Sequence, residues 1–151
     1  DLLNAVEEID DKQTSLLAET VLDCVGRASA RLVGILGLAY KERTPVISGS
    51  SALRLIRRLL QADVQVVGYD ELARENARAE LGGAIEFTDT PERCVAAAPV
   101  VVLLNRDPSY AAAVVGYHGT QRRSVVDCWR MLDGVPVPAV IDVVRLGYHR
   151  A

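Results

Sequence analysis

"VGILGLAYKERTPVISGSSALRLIRRLL", residues 33–60, decides how the rest of the chain is read. It opens inside the apolar run "RLVGILGLA", which does not alternate, as expected of a strand covered on both faces. It closes in "SALRLIRRLLQA", where Leu53, Ile56, Leu59 and Leu60 recur at helical spacing and point inward. Ser50 or Ser51 can cap that helix by accepting from its free backbone N–H groups. Between strand and helix lies a loop far longer than such a turn needs. It carries Lys41 and Arg43, then Thr44-Pro45, then a run of small residues.

Working outward, strand and helix keep alternating. "VQVVGYD" is a second strand, and Asp70 opens the helix "ELARENARAEL", which Gly82-Gly83 ends. "AIEFT" is a short third strand, followed by the helix "PERCVAAA" with Pro91 near its start. "PVVVLLN" is the most hydrophobic run and belongs at the sheet centre. "PSYAAAVVGY" is helical, "SVVDC" is a fifth strand, and the tail "PAVIDVVRLGY" offers a short sixth. Such alternation implies an α/β fold: a Rossmann-like parallel sheet, order 3-2-1-4-5, with helices on both faces. Ahead of it, residues 2–25 read as a long amphipathic helix. Leu2, Val6, Ile9, Leu16, Leu17, Val21 and Leu22 form its stripe, and Gly26 is its stop. The minimal fold has no place for this helix, so it is expected to pack on something extra, such as a partner subunit.

The bulk numbers narrow the functional classes. A chain of 151 residues, 50% hydrophobic and 25% charged, suits one folded domain. A net charge of −3 argues against a general nucleic-acid binder, which needs a basic face. No apolar run approaches a membrane span and no signal peptide is visible. Three cysteines without a CxxC, beside two histidines, make a structural zinc site improbable and suit a reducing cytoplasm. No metal ligand set is expected. The first residue is Asp1 rather than Met, which fits a fragment of a longer protein.

In open parallel sheets, ligands bind beyond the carboxyl ends of the strands, where the strand order reverses. Tyr40, Lys41 and Arg43 follow strand one, Asn105 and Arg106 follow strand four, and Trp129 and Arg130 follow strand five. Cations therefore gather at one sheet end of an acidic chain, an arrangement that suits a phosphate or diphosphate; simple solvation of loop-end cations is the alternative. The glycine fingerprint of dinucleotide binding is missing, because Gly34 and Gly37 do not form G-x-G-x-x-G and the long loop separates them from the helix. Asp70 sits where a ribose-binding acid would, but without the glycine turn it reads mainly as a helix cap. Trp129 either stacks on a base or sugar or plugs the sheet end. Cys128 reads as a small core residue and His118 as part of a surface turn; their spacing does not pair them for catalysis.

"VGILGLAYKERT", "SGSSALRLIRRLL", "DVQVVGYD" and "SVVDCWRMLD" together resemble the C-terminal domain of the UDP-glucose/GDP-mannose dehydrogenases. The likeness covers essentially the whole chain and is strongest at residues 33–70 and 124–133. It implies a nucleotide-sugar-binding domain at 29–151, preceded at 1–28 by the end of a connecting, dimerising helix. It further implies NAD bound mainly by an N-terminal domain of the same polypeptide, outside this chain, together with the catalytic cysteine. No catalytic residue is then expected here. The family's chemistry is oxidation of the sugar C6 alcohol to a carboxylate in two NAD-dependent steps, so a cytoplasmic homodimer serving polysaccharide biosynthesis is implied.

By position, the family's nucleotide-contacting aromatic-Lys pair falls on Tyr40 and Lys41. Ser48 stands where an arginine contacts the cofactor, and two acids of that loop are replaced by Pro45 and Val46. Trp129 takes the place of a substrate-binding arginine, with Arg130 one residue later; Arg106 completes the expected substrate rim. These departures fit either a subfamily with altered substrate or a non-catalytic oligomerisation or regulatory module. A different nucleotide-binding enzyme would need an acid/base pair, and none is apparent.

Overall fold

A computed structural model describes residues 2–146, with side chains from residue 11 onward. Gly147 and Tyr148 of the expected sixth-strand segment lie outside the described residues, as do the side chains of Leu2, Val6 and Ile9. The strands are β1 (Leu32–Leu36), β2 (Gln65–Tyr69), β3 (Glu86–Phe87), β4 (Val100–Leu103), β5 (Arg123–Asp127) and β6 (Ile141–Arg145). They form one sheet of order β3-β2-β1-β4-β5-β6, parallel throughout. The expected order stands, and the tail supplies the sixth strand. The helices are α1 (Leu2–Ala28), α2 (Ser51–Gln61), α3 (Arg74–Leu81), α4 (Pro91–Ala97) and α5 (Pro108–Val115).

Successive strand residues face opposite sides, and each side has its own apolar layer. Val33, Ile35, Val100 and Val102 meet α1 and α2, while Leu36, Val101 and Leu103 meet α4 and α5. Gly34 on β1 lets α4 approach closely. A Cβ there would stand 3.0 Å from Cys94 Sγ and 3.2 Å from the Cys94 carbonyl oxygen. At the far end of α4 the buried Arg123 donates to the carbonyls of Val95 and Ala96. It thereby satisfies acceptors that a helix C-terminus leaves open.

Two expectations about helices need correction. Gly26 does not stop α1; the helix continues to Ala28 and ends at Ser29, whose φ of 53° is left-handed. Nor does α1 lack a place in the domain. Leu17, Ala18, Val21, Cys24 and Val25 are buried in the layer that covers the sheet, whereas Leu16 points outward and is 48% exposed. Similarly, Leu55 of α2 is fully buried while Leu60 is only partly so.

Two aspartates fasten the loops at the carboxyl ends of the strands. Asp70 follows β2. Its Oδ2 accepts from the backbone N–H groups of Leu38 (2.9 Å) and Ala39 (3.1 Å), just past β1. Its Oδ1 accepts from Leu72 (3.2 Å) and Ala73 (3.1 Å). The helix expected from Glu71 therefore starts only at Arg74, because residues 71–73 form the turn that wraps the carboxylate. Asp127 ends β5 fully buried; its Oδ1 accepts from Trp129 and Met131, and its Oδ2 from Leu132. Ser50 adds a third tie, accepting from Ala52 N–H as the cap of α2 and donating to Leu38 O at 2.7 Å.

Replacing Asp70 by Ala leaves buried N–H groups without an acceptor and is expected to cost on the order of 3 kcal/mol in urea unfolding. Amide exchange at Leu38 and Ala39 should accelerate with it, and unchanged exchange there would contradict the fastening. Gly34→Ala forces α4 off β1, with an expected loss of about 1–3 kcal/mol at constant m-value.

Candidate functional site

The carboxyl ends of β1, β4 and β5 carry the candidate residues. Three elements hold them: the loop 37–50, the turn before α5, and the turn fastened by Asp127. Loop 37–50 is closed on itself by a hydrogen bond from Tyr40 N–H to Val46 O (3.1 Å) and tied to α3 by Asn76 Nδ2 donating to Pro45 O (2.8 Å). Asp107 caps α5 by accepting from Ser109 N–H, and Pro108 occupies the first turn, which sets where Arg106 leaves the sheet.

Arg106 is the meeting point. Its guanidinium lies 3.7 Å from Glu42 of the β1 loop and 5.1 Å from the ring centre of Trp129 after β5. The Trp129 indole N–H donates to Leu104 O at 3.0 Å. One chain of contacts thus crosses the ends of all three strands. Its links are exchangeable, because an exposed ion pair contributes about 0–1 kcal/mol and an exposed cation–π contact about 0.5–1 kcal/mol. A phosphate would compete well for Arg106, since charge-assisted and bidentate hydrogen bonds are stronger than these. Tyr40 is half exposed, with the Lys41 ammonium 5.4 Å from its ring centre.

Trp129 is anchored at the sheet end through its N–H and still presents 42% of its surface. The anchor makes it a plug of the sheet end, and its exposed ring face leaves the stacking role open to a ligand. Its only N–H donor on the side chain is spent on Leu104, so it cannot supply the charge or donors of an arginine.

The remaining predicted residues are placed differently. Arg130 has a left-handed φ of 57° and pairs with Asp133 at 3.5 Å. Asp133 also accepts from Arg145, and the hydrogen bond and charge of Arg145, then those of Arg130, hold its carboxyl below the usual carboxylate range. Arg130 is thus committed to a local network rather than gathered with Arg106. Ser48 is exposed and lines a separate cavity of about 240 Å³ with Ser50, Arg54, Arg57 and Glu80.

Asp70, with its carboxylate occupied by four backbone N–H groups, is not offered to a ribose. All three cysteines are buried, and burial pushes the Cys94 thiol up to about 12. Cys128 is a core residue, and His118 is exposed beyond α5. Among the described residues no cluster of three or more metal-ligating side chains occurs, and no helix is long and apolar enough to cross a membrane.

Glu42 was not among the expected site residues, and the sequence places Asn105 after strand four without a role. Glu42 is an acid in a cationic loop and carries no motif. Asn105 is 3% exposed at the end of β4, packed against Gly37 at the end of β1. The strand order, which sets β1 beside β4, brings it to the crevice; its packing against Gly37 is visible only in the structure.

The sequence model of the UDP-glucose/GDP-mannose dehydrogenase family, UDP binding domain, matches residues 34–134. The UDP-glucose 6-dehydrogenase AglM of Haloferax volcanii is 30% identical over 131 residues, covering 87% of this chain and 30% of that protein. UDP-glucose 6-dehydrogenase YwqF of Bacillus subtilis is 26% identical over 104 residues, covering 69% of this chain and 24% of that protein. The chain therefore spans less than a third of the length of these relatives. Among solved structures, a UDP-glucose dehydrogenase from Pyrobaculum islandicum superposes with a TM-score of 0.72 at 24% identity, covering 98% of this chain and 32% of that one. A GDP-mannose dehydrogenase from Pseudomonas aeruginosa gives 0.70 at 19% identity, covering 94% and 33%. At such identities the superpositions speak for the fold. The family match over the strand-end segments after β1, β4 and β5 and the elements between them carries the assignment: the chain belongs to the UDP-glucose/GDP-mannose dehydrogenase family and corresponds to its UDP binding domain.

Proposed function

We propose that this chain is the nucleotide-sugar-binding unit of an NAD-dependent nucleotide-sugar 6-dehydrogenase, which oxidises the sugar C6 alcohol to a carboxylate in the full-length protein. The observation that carries this is the meeting of Arg106 with Trp129 after β5 and with Glu42 of the β1 loop, beside Lys41 in sequence, within the residues that match the family's UDP binding domain. Lys41 is the point charge for the diphosphate. Arg106, released from Glu42, supplies a planar second donor, and Tyr40 and Trp129 offer rings beside them. Arg130, held by Asp133, shapes the outer rim.

NAD is assigned to an N-terminal domain of the same polypeptide. The crevice of this chain does not fit a dinucleotide: the first loop has no glycine turn onto a helix N-terminus, and the Asp70 carboxylate is already filled. No hydride or acid/base step is therefore assigned to residues of this chain. Ser48 is the one position proposed to face the cofactor from this side. Residues 1–28 are the connecting helix of a cytoplasmic homodimer, a role supported by the outward-facing Leu16.

A second reading has one specific observation behind it. Trp129, with its N–H spent on Leu104, removes a cationic donor that the family pattern places there. A non-catalytic oligomerisation or regulatory module that binds a nucleotide sugar without turning it over would retain the rim described above.

Calorimetry of the full-length protein with UDP, GDP and NAD decides the binding role. Lys41→Ala is expected to weaken nucleoside diphosphate binding about tenfold or more, the loss of one hydrogen bond to a charged group. Unchanged affinity would remove Lys41 from the site. Turnover of UDP-glucose with NAD separates the enzyme from the non-catalytic module.

A further inference from the structure

Among the described residues, Asn105 is the buried side chain in the crevice between β1 and β4 whose hydrogen-bonding capacity is wholly unused. It is 3% exposed, and neither its Nδ2 nor its Oδ1 makes a hydrogen bond. Buried amides are normally satisfied, so such a group calls for an explanation. Its seat is made for it. Gly37 has a φ of +101°, and a Cβ there would stand 2.6 Å from Asn105 Nδ2 and 2.7 Å from its Cγ. The left-handed backbone and the missing side chain together admit the amide at the point where the strand order reverses, which is where ligands of open parallel sheets bind.

We infer that Asn105 is a specificity-determining residue of the nucleotide-sugar site, reading a neutral part of the ligand that offers a hydrogen-bond donor and acceptor side by side. The inference rests on the binding function proposed above and assigns it a residue. A primary amide presents one acceptor and two donors in a plane. It suits a diol or the imide edge of a base; a diphosphate, which offers acceptors alone, would leave the amide oxygen unsatisfied. Lys41 and Arg106 take the charge, and Asn105 recognises what the charge is attached to. The neutral part is either the nucleoside or the hexose, which share this chemistry.

The amide is closed over, so a ligand reaches it after loop 37–50 shifts. The exposed tip of that loop is held by a contact a ligand can replace, the Glu42–Arg106 pair at 3.7 Å, while its roots stay fastened by Asp70 and Ser50.

The test compares wild type with Asn105→Leu in the full-length protein, using inorganic pyrophosphate, UDP and UDP-glucose in calorimetry and a thermal melt alongside. Leucine keeps the branching and the number of heavy atoms, at some cost in added bulk, and removes the polar atoms. The expected result is at least a tenfold loss of UDP and UDP-glucose affinity, pyrophosphate binding unchanged and a melting temperature not lowered. Loss for both UDP and UDP-glucose places the nucleoside at Asn105; loss for UDP-glucose alone places the hexose there. Equal losses for all three probes, no loss for any, or a lowered melting temperature with affinities intact would overturn the inference and leave Asn105 a packing residue. Should Asn105→Leu fail to fold, Asn105→Ala removes the same amide without adding bulk and is read by the same comparison. Wild-type protein that binds none of the probes would instead refute the nucleotide-sugar function, and the role of Asn105 with it.

Discussion

The carboxylate of Asp70 holds the candidate site together. One of its oxygens binds the backbone beyond β1 and the other binds the turn beyond β2. Neighbouring parallel strands end side by side, but nothing in a parallel ladder fixes the chain after the last rung. A buried acceptor shared by two loops does, because each N–H it releases would have to be satisfied elsewhere or left unpaired. Leu38 and Ala39 are thereby set, Ser50 returns to Leu38 O, and the long loop between them is anchored at both ends. Asp127 repeats the device at β5, where it places Trp129. The rim residues stand on loops whose roots are rigid and whose tips are exposed.

This division of labour fits a binding site better than a catalytic one. The buried acids are structural, the buried thiols are core, and the groups facing solvent are cations and rings. A diphosphate needs charge and hydrogen-bond donors at a sheet end, and a base or sugar needs a surface and a few directed polar contacts. The exposed links between Glu42, Arg106 and Trp129 are weak enough to be exchanged for those of a ligand.

Much of the fold was legible because it follows from local pattern. The unalternating apolar runs gave buried strands, and the spacing of Leu53, Ile56 and Leu59 gave a helix. The pair Ser50-Ser51 gave its start, which the structure assigns to Ser50, and the succession of elements gave the strand order. What was not legible depends on contacts between distant segments. Asp70 read as a helix cap, but α3 starts at Arg74 without a side-chain cap; half of the Asp70 bonds hold the turn 71–73, and the other half reach a loop more than thirty residues away. Arg123 would pass for a surface cation, yet it is buried under α4. The outer helix looked unpartnered because the minimal fold has no slot for it; Leu17 and Val21 of its expected stripe do face the sheet, together with Ala18 and Cys24, while Leu16 faces out. Asn105 was noticed only as a neighbour of Arg106; its meaning comes from Gly37, which adjoins it solely because β1 and β4 pair.

That pairing also bears on how the protein is made. β1 lies between β2 and β4, and Val33 pairs with Val66 on one side and Val100 on the other. During synthesis the first partner emerges early, while the second comes only after two more helices and a strand. Until then β1 presents an open edge of Val33, Ile35 and Leu36, the kind of surface that other nascent chains can join. The crevice between Gly37 and Asn105 does not exist in that interval. Closing the sheet's apolar edge and creating its ligand-facing end are a single event in the life of the chain.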